Sequence, residues 1–373
     1  MVRIATIAES MPGSLKLCYG ESDMPTPAFI CQALDQAVRA GHTFYTHTAG
    51  YLELRQAIAA KVFELHQIRY EVPEIMATVG ASMAIYAAIR AFVGRGDNAV
   101  IVSPAYAIFS NGVIMSGGEP RPVPLALTGR RFVLDLERVT AAIDANTRLL
   151  IVNSPSNPTG WVISEDEQRA LVEIAQRHDL VILADEVYER LIYDGGTVAP
   201  SFGRLDPIRD RLIVVNSFSK TYTMTGWRLG WAQSSERTIK AMYKAVEFMT
   251  SNPAAMVQQA GIVALRDGEP YVAELREHYA RRRDQVRRVL ESIPGVTLPD
   301  PQGAFYAFPR FSFIMDSTAF AAELVRNTGL AVAPGVGFGR EGEGSIRVCF
   351  ASTAATIADA MSRLQKFVMT SRG

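Results

Sequence analysis

Residues 216–231 read NSFSKTYTMTGWRLGW, and this stretch holds the chain's most reactive combination of side chains. Lys220 comes at the end of the apolar run RLIVVNSF (211–218) and is flanked by Ser217 and Ser219. A lysine at the mouth of a low-dielectric site gives up its proton more readily than one in water. The neutral amine can then attack a carbonyl and form a Schiff base. Arg228 follows eight residues after Lys220. Serine hydroxyls and a guanidinium suit a phosphate group. Alone, a lysine after a strand is an ordinary surface residue; the whole string makes the chemical reading the stronger one.

Such residues need a scaffold. AVIVSP (99–104), RLLIVNSP (148–155), LVILADE (180–186) and RLIVVNSF (211–218) are continuous apolar runs rich in β-branched residues. Strands covered on both faces have this pattern, which predicts a mainly parallel sheet. Helical patterns lie between them, for example Glu165 to His178 with Ser164 as N-cap. Alternating strands and helices predict an α/β layered domain. In such sheets ligands sit outside the carboxyl ends of the strands. SPAY, NSPSNPTG, ADEVY and NSFSK all fall at those ends. After about residue 235 the chain becomes helix-rich, and the basic run RRRDQVRR (281–288) reads as a solvated helix face. GVTLPDPQGAFYAFPRF predicts two strands around a PQG turn, and Phe320 to Asn327 a helix. LAVAPG and SIRVCFA predict strands, and a last helix begins near Ala354.

Composition narrows the function. The 373 residues exceed the ~250–300 at which single cores stop growing, so two domains are expected. There are 38 Lys plus Arg and 38 Asp plus Glu, so the net charge is zero. A neutral chain has no global field for nucleic acid or an anionic membrane. Three scattered cysteines, Cys18, Cys31 and Cys349, suggest neither a disulfide framework nor a thiolate zinc site. The five histidines lack metal-ligand spacing, and no metal is expected. The N-terminus has no signal-peptide core, and no apolar run approaches the ~20 residues of a membrane span. A cytoplasmic enzyme is the expectation.

The motifs taken in order carry a resemblance. GAS (80–82), SPAY (103–106), NPTG (157–160), DEVY (185–188), SFSKTYTMTGWRLGW (217–231) and IRVCFA (346–351) resemble those of the class I/II, fold-type I, pyridoxal-phosphate-dependent aminotransferases. The match runs from LCYGESDMPTP (17–27) to about residue 351. It implies the α/β PLP-transferase fold: a large domain with a mainly parallel seven-stranded sheet, plus a small α+β domain. Residues 45–284 would be the large cofactor-binding domain and 285–373 the small one, with 1–44 contributing to the small domain. It also implies pyridoxal 5′-phosphate as cofactor, amino acids and 2-oxo acids as substrates, and a homodimer with shared active sites.

By this resemblance Lys220 is the Schiff-base lysine, which then moves a proton as base and acid. Asp185 faces the pyridine nitrogen and keeps it protonated. Tyr188 and Asn157 hydrogen-bond the ring's 3-oxygen; Asn157 also has the simple reading of turn chemistry. Tyr106 stacks on the ring, although an aromatic after a strand is more often core. Ala81, Ser82, Ser217, Ser219 and Arg228 hold the phosphate, helped by the N-terminus of the helix expected after Gly80. Tyr45 reaches the partner's phosphate. Arg347 grips the substrate α-carboxylate, with Gly20 at its edge, and Asn157 is close to the substrate too. GVGFGREGEG (335–344) precedes a strand and does not open a helix, so it fails as a dinucleotide loop; a flexible loop near the substrate fits better. Ser82 stands where aspartate-using members of the family carry a lysine, which weakens an acidic substrate. Two alternatives share the early motifs: a pyridoxal-phosphate lyase performing β-elimination, and a non-catalytic regulator on the same fold. A regulator would need an added DNA-binding domain, for which about sixteen residues before the match leave no room.

Overall fold

The computed structural model describes residues 2–193, 195–205 and 209–370. A seven-stranded sheet runs in the order Ile75–Thr78, Gly230–Gln233, Leu212–Ser217, Val181–Asp185, Thr147–Asn153, Asn98–Ser103, Glu119–Pro124. Gly230–Gln233 is antiparallel to both neighbours, and every other pairing is parallel. The central strands are buried on both faces, as their unbroken apolar runs require. One face packs Ile101, Ile151, Leu183 and Ile213 beneath the helices Ala81–Phe92 and Glu236–Thr250. The other packs Val100, Leu150, Ile182 and Val214 beneath Glu165–Arg177. The edge strand EPRPVP carries Pro120, Pro122 and Pro124, which deny hydrogen bonds to any further strand.

Helix starts follow local chemistry. Ser164 Oγ accepts from the Glu167 N–H while the Glu167 carboxylate accepts from the Ser164 N–H, a reciprocal cap for Glu165–Arg177. Gly80, at φ +74, turns the chain from Ile75–Thr78 into Ala81–Phe92. A Cβ there would overlap the Arg228 guanidinium.

A second layer of core gathers the two ends of the chain. Ile4, Ala8 and Leu17 pack with Tyr306, Ile346, Phe350 and Leu364. Leu15–Lys16 pairs in parallel with Leu330–Ala331. The helix Ala28–Arg39 leaves this layer and packs on Ala255–Asp267; Ile30 lies in the core with Leu54 and Phe218. The two strands expected around the PQG turn are present as Val296–Thr297 and Tyr306–Ala307, but they do not pair with each other. Val296–Thr297 pairs with Arg310–Phe311, whereas Tyr306–Ala307 pairs with Ile346–Cys349. The aromatic strand is drawn to the apolar strand bearing Arg347, so the segment is not one hairpin. The expected helices at 320–327 and from Ala354 are present as Ser317–Thr328 and Ala354–Thr370.

The chain leaving Val181–Asp185 is anchored by a buried ion pair. Arg190 donates through Nη1 and Nη2 to the two carboxylate oxygens of Glu269, each at 2.8 Å, and Lys61 Nζ reaches the same carboxylate at 3.2 Å. Arg190 is buried. Removing its partner strands a cation out of water, which costs about 3–5 kcal/mol in fully buried pairs. Glu269 is partly exposed, so Glu269→Ala is expected to cost about 2–3 kcal/mol in urea unfolding. A change near zero would show that the pair contributes no net stability.

Candidate active site

Five strands of the sheet end on one side, and their carboxyl ends carry the candidate residues. Thr78 leads to Gly80–Ser82, Ser103 to Tyr106, Asn153 to Asn157, Asp185 to Tyr188, and Ser217 to Lys220. The strand Ile346–Cys349 of the second layer delivers Arg347 from above. A cavity of about 510 Å³ lies between them. Gly20, Ala81, Ser82, Tyr106, Asn157, Asp185, Tyr188, Ser217, Ser219, Lys220, Arg228 and Arg347 all line it. Tyr45 does not; its side chain is 89% exposed.

Lys220 sits in the short helical turn Phe218–Thr221 that follows the strand. Ser217 starts this turn by accepting from the Ser219 N–H at 3.1 Å. Lys220 Nζ donates to the Gly20 carbonyl at 2.7 Å and lies 5.8 Å from the Tyr188 ring centroid and 5.6 Å from that of Phe305. Burial is the main reason its ammonium is pushed down to about 8; Arg347 and Arg228 push the same way. The amine is therefore partly neutral near physiological pH.

Asp185 ends its strand fully inside. Its carboxylate accepts from the Val187 N–H at 3.3 Å and makes no ion pair among the described residues. Burial raises it to about 7, against the opposing pull of the Val187 N–H and of the Lys220 charge. A buried carboxylate without a cation partner suits a cationic or N–H-bearing ligand. Asn153 locks the neighbouring turn: its Nδ2 donates to the Asp185 carbonyl at 3.0 Å and its Oδ1 accepts from the Asn157 N–H at 2.8 Å.

Arg347 is the converse case. It is 2% exposed, donates from Nη1 to Asn157 Oδ1 at 2.8 Å and from Nη2 to the Cys18 carbonyl at 2.6 Å, and leaves Nε without a partner. Its guanidinium stands 4.5 Å from the Tyr306 ring centroid and 4.9 Å from that of Phe338. No carboxylate of the described residues neutralises it. A buried, unneutralised guanidinium fits an anionic group of a ligand.

Arg228 adopts the left-handed conformation, φ 56, and Nη1 donates to the Thr225 carbonyl at 2.8 Å. Glycine at 80 lets it approach the helix start, and glycine at 230 lets the strand Gly230–Gln233 do so; a Cβ at Gly230 would come within 2.7 Å of the Ala81 nitrogen. The first amides of Ala81–Phe92 have no acceptor within the helix, and they open beside Arg228. Amides, the hydroxyls of Ser82, Ser217 and Ser219 and a guanidinium form a donor-rich cradle.

Several wall residues have no signal in the sequence. The Tyr306 and Tyr188 hydroxyls share a hydrogen bond at 2.7 Å. Tyr306 lies in the aromatic run AFYAF, which reads as core. Ala5, Thr6 and Glu9 reach the cavity from the helix Val2–Glu9, and Tyr19 donates to Glu9 at 3.1 Å. Helical spacing alone does not reveal that this face covers a site 200 residues away.

The chain matches the family model for aminotransferase class I and II over residues 12–364. The chain belongs to that family. It is 35% identical to the aspartate aminotransferase of Pyrococcus horikoshii, over 96% of this chain and 92% of that protein. It is also 35% identical to aromatic-amino-acid aminotransferase 2 of Thermococcus litoralis, covering 98% and 94%. The crystal structure of the aromatic aminotransferase from Pyrococcus horikoshii superposes with a TM-score of 0.92 at 34% identity, over 99% of both chains. The enzyme is thus an aminotransferase, and these names give no support to a lyase. Aminotransferases of this family work with pyridoxal phosphate, and the residues present fit that group. The cradle around Arg228 supplies donors for a phosphate, Asp185 an anion for a ring nitrogen, and Lys220 an amine for a carbonyl.

Proposed function

We propose that this aminotransferase moves an amino group from an L-amino acid to a 2-oxo acid in two half-reactions, with pyridoxal phosphate held in the 510 Å³ cavity. The observation that carries this reading is the joint burial of a partly neutral lysine, an unpaired carboxylate and an unneutralised arginine around one cavity. Bound there, the cofactor supplies the carbonyl that receives the amino group and a ring that accepts the electron pair left at the substrate Cα. The protein does the rest.

Lys220 anchors the cofactor through Nζ. When free, the same Nζ would take the Cα proton as base and return a proton as acid. The aromatic faces of Tyr188 and Phe305 keep that amine poorly solvated. Asp185 holds the positive charge of the cofactor ring nitrogen. Tyr188 and Asn157 donate to the ring oxygen, and Tyr306 orients the Tyr188 hydroxyl. Ala81, Ser82, Ser217, Ser219 and Arg228 bind the phosphate, and Tyr106 covers the ring. Arg347 binds the substrate α-carboxylate, orients Cα toward Lys220 and is itself positioned by Asn157 and the Cys18 carbonyl; Gly20 completes that end.

The assembly we infer is a homodimer in which Tyr45 binds the partner's phosphate. Phe44 and Tyr45 are 80% and 89% exposed, and Phe248 and Met115 also stand in solvent, more apolar surface than a lone subunit needs. The two-domain reading gains support from the core shared by both chain ends. The packing of Ala28–Arg39 on Ala255–Asp267 favours an N-terminal share shorter than 1–44. No helix of the described residues is long and apolar enough to cross a membrane, and three free cysteines fit a reducing cytoplasm.

The test is spectroscopic. Protein loaded with pyridoxal phosphate is titrated with single amino acids. Bleaching of the visible band by one of them, and its return on adding a 2-oxo acid, is the expected result. Pyruvate and ammonia from a cysteine-type substrate, with no acceptor present, would contradict it. In the same assay Arg347→Ala is expected to lose about 10²-fold in kcat/KM while keeping the band. Two hydrogen bonds from a charged group are worth about 1.5–3 kcal/mol each, partly offset by water in the vacated space. Equal loss of cofactor would contradict the role of Arg347.

A further inference from the structure

A second cavity, of about 440 Å³, opens between residues 66–70 and the stretches 203–205 and 209–212. Its wall includes His66, Arg69, Tyr70, Arg204 and Arg209, and no aspartate or glutamate of the described residues lines it. The polar groups there are donors in excess. Arg69 stacks 4.4 Å over the Phe63 ring and Arg204 donates only to the Leu65 carbonyl at 3.3 Å; neither makes an ion pair among the described residues. Arg209 is paired with Glu74 through Nη2, yet its Nε is buried and has no partner among the described residues. His66 is 5% exposed; its Nε2 is bonded to Glu189 at 2.8 Å and its Nδ1 is buried with no partner among the described residues. Burial opposes a charge on His66, but the Glu189 carboxylate outweighs it and the net direction is upward. The protonated ring then offers Nδ1–H as a donor.

Buried donors left without acceptors call for an explanation. An oxyanion supplies one, because it accepts several hydrogen bonds and neutralises guanidinium charge at once. We propose that this cavity binds a phosphate-bearing small molecule, held by Arg69, Arg204, the Arg209 Nε–H and the His66 Nδ1–H. Ile68, Leu205 and Leu212 give the same cavity apolar walls, suited to the organic part of a phosphate ester. The site is separate from the cofactor cradle: no described residue lines both cavities. It is tied to the catalytic loop all the same, since Glu189, the partner of His66, directly follows Tyr188.

The experiment uses enzyme loaded with pyridoxal phosphate, so that the cofactor cradle is filled and its visible band reports on it. Inorganic phosphate and glycerol phosphate are titrated separately by calorimetry against wild type, Arg204→Ala and Arg69→Ala. One saturable site per chain is expected, weakened about ten- to a hundredfold in each variant, the value of a lost charge-assisted bond. The visible band and the transamination rate without added phosphate stay unchanged. Tighter binding of glycerol phosphate assigns a phosphate ester as ligand; tighter binding of phosphate assigns the free ion. Absence of saturable binding to the wild type would overturn the proposal, as would equal affinity in wild type and both variants. A failure of the transaminase reading shows separately, as absence of the band or of turnover before any phosphate is added.

Discussion

Lys220→Ala is expected to lower kcat/KM for amino-group transfer by about 10⁴-fold, the upper end of what one positioned proton-transfer group supplies. The size follows from the environment. Nζ is fixed by the Gly20 carbonyl at 2.7 Å, in a wall with Tyr188 and Phe305, where water cannot take over as a base of matched strength. Burial brings its pKa to about 8, close to working pH, where a group that must both accept and donate a proton performs best. Lys220→Arg keeps the charge but has no usable neutral form, so it should fail equally. Stability should move the other way. The folded protein penalises the lysine charge below about pH 8, because the folded pKa lies beneath the unfolded one. Lys220→Ala removes that penalty, so thermal unfolding of the cofactor-free protein at pH 7 should not fall. Retained turnover in Lys220→Ala would refute the assignment, and a loss of fold would make the activity loss uninformative about chemistry.

Asp185→Asn is expected to reduce turnover by about 10³-fold, since a close pair of opposite charges in a protein is worth about 4 kcal/mol. Asparagine keeps an acceptor for the Val187 N–H but carries no charge to hold a protonated ring nitrogen. In the cofactor-free protein the same substitution should stabilise. The folded carboxyl has its pKa raised from 3.8 to about 7 by burial. The folded state therefore binds more protons than the unfolded state between those values. Stability contributed by the protonated form is full below about pH 4, falls as pH rises towards 7, and is lost above that. Three pKa units correspond to roughly 4 kcal/mol as an upper limit. Denaturation midpoints of the cofactor-free pair should coincide near pH 4 and diverge by pH 8, with Asp185→Asn the more stable. Parallel curves would show that the Asp185 pKa is not raised by folding.

The sheet was legible in the sequence because its strands are buried on both faces, and that condition writes itself as unbroken β-branched runs. The strand Gly230–Gln233, antiparallel within the sheet, was not legible as such: GWAQ has the same burial as its parallel neighbours, and direction is set by how the chain returns. The short strands after residue 295 were poorly legible for a related reason. Two-residue pairings such as Tyr306–Ala307 with Val348–Cys349 carry no period to detect.

The sequence by itself determined which chemistries are available: an amine after a buried strand, a carboxylate at a strand end, and arginines near 228 and 347, in an order that matches one family. That information is local, because each residue's type and its place at a strand end are written within a few positions. Only the tertiary structure decided that, among the described residues, neither Arg347 nor Asp185 has an ion-pair partner. It also decided that Tyr306 completes the wall, that the N-terminal helix roofs the cavity, and that the unsatisfied His66 Nδ1 and Arg209 Nε line one cavity with Arg69 and Arg204. Burial and the absence of a partner are properties of what the rest of the chain brings near a group, and no stretch of sequence around that group records them.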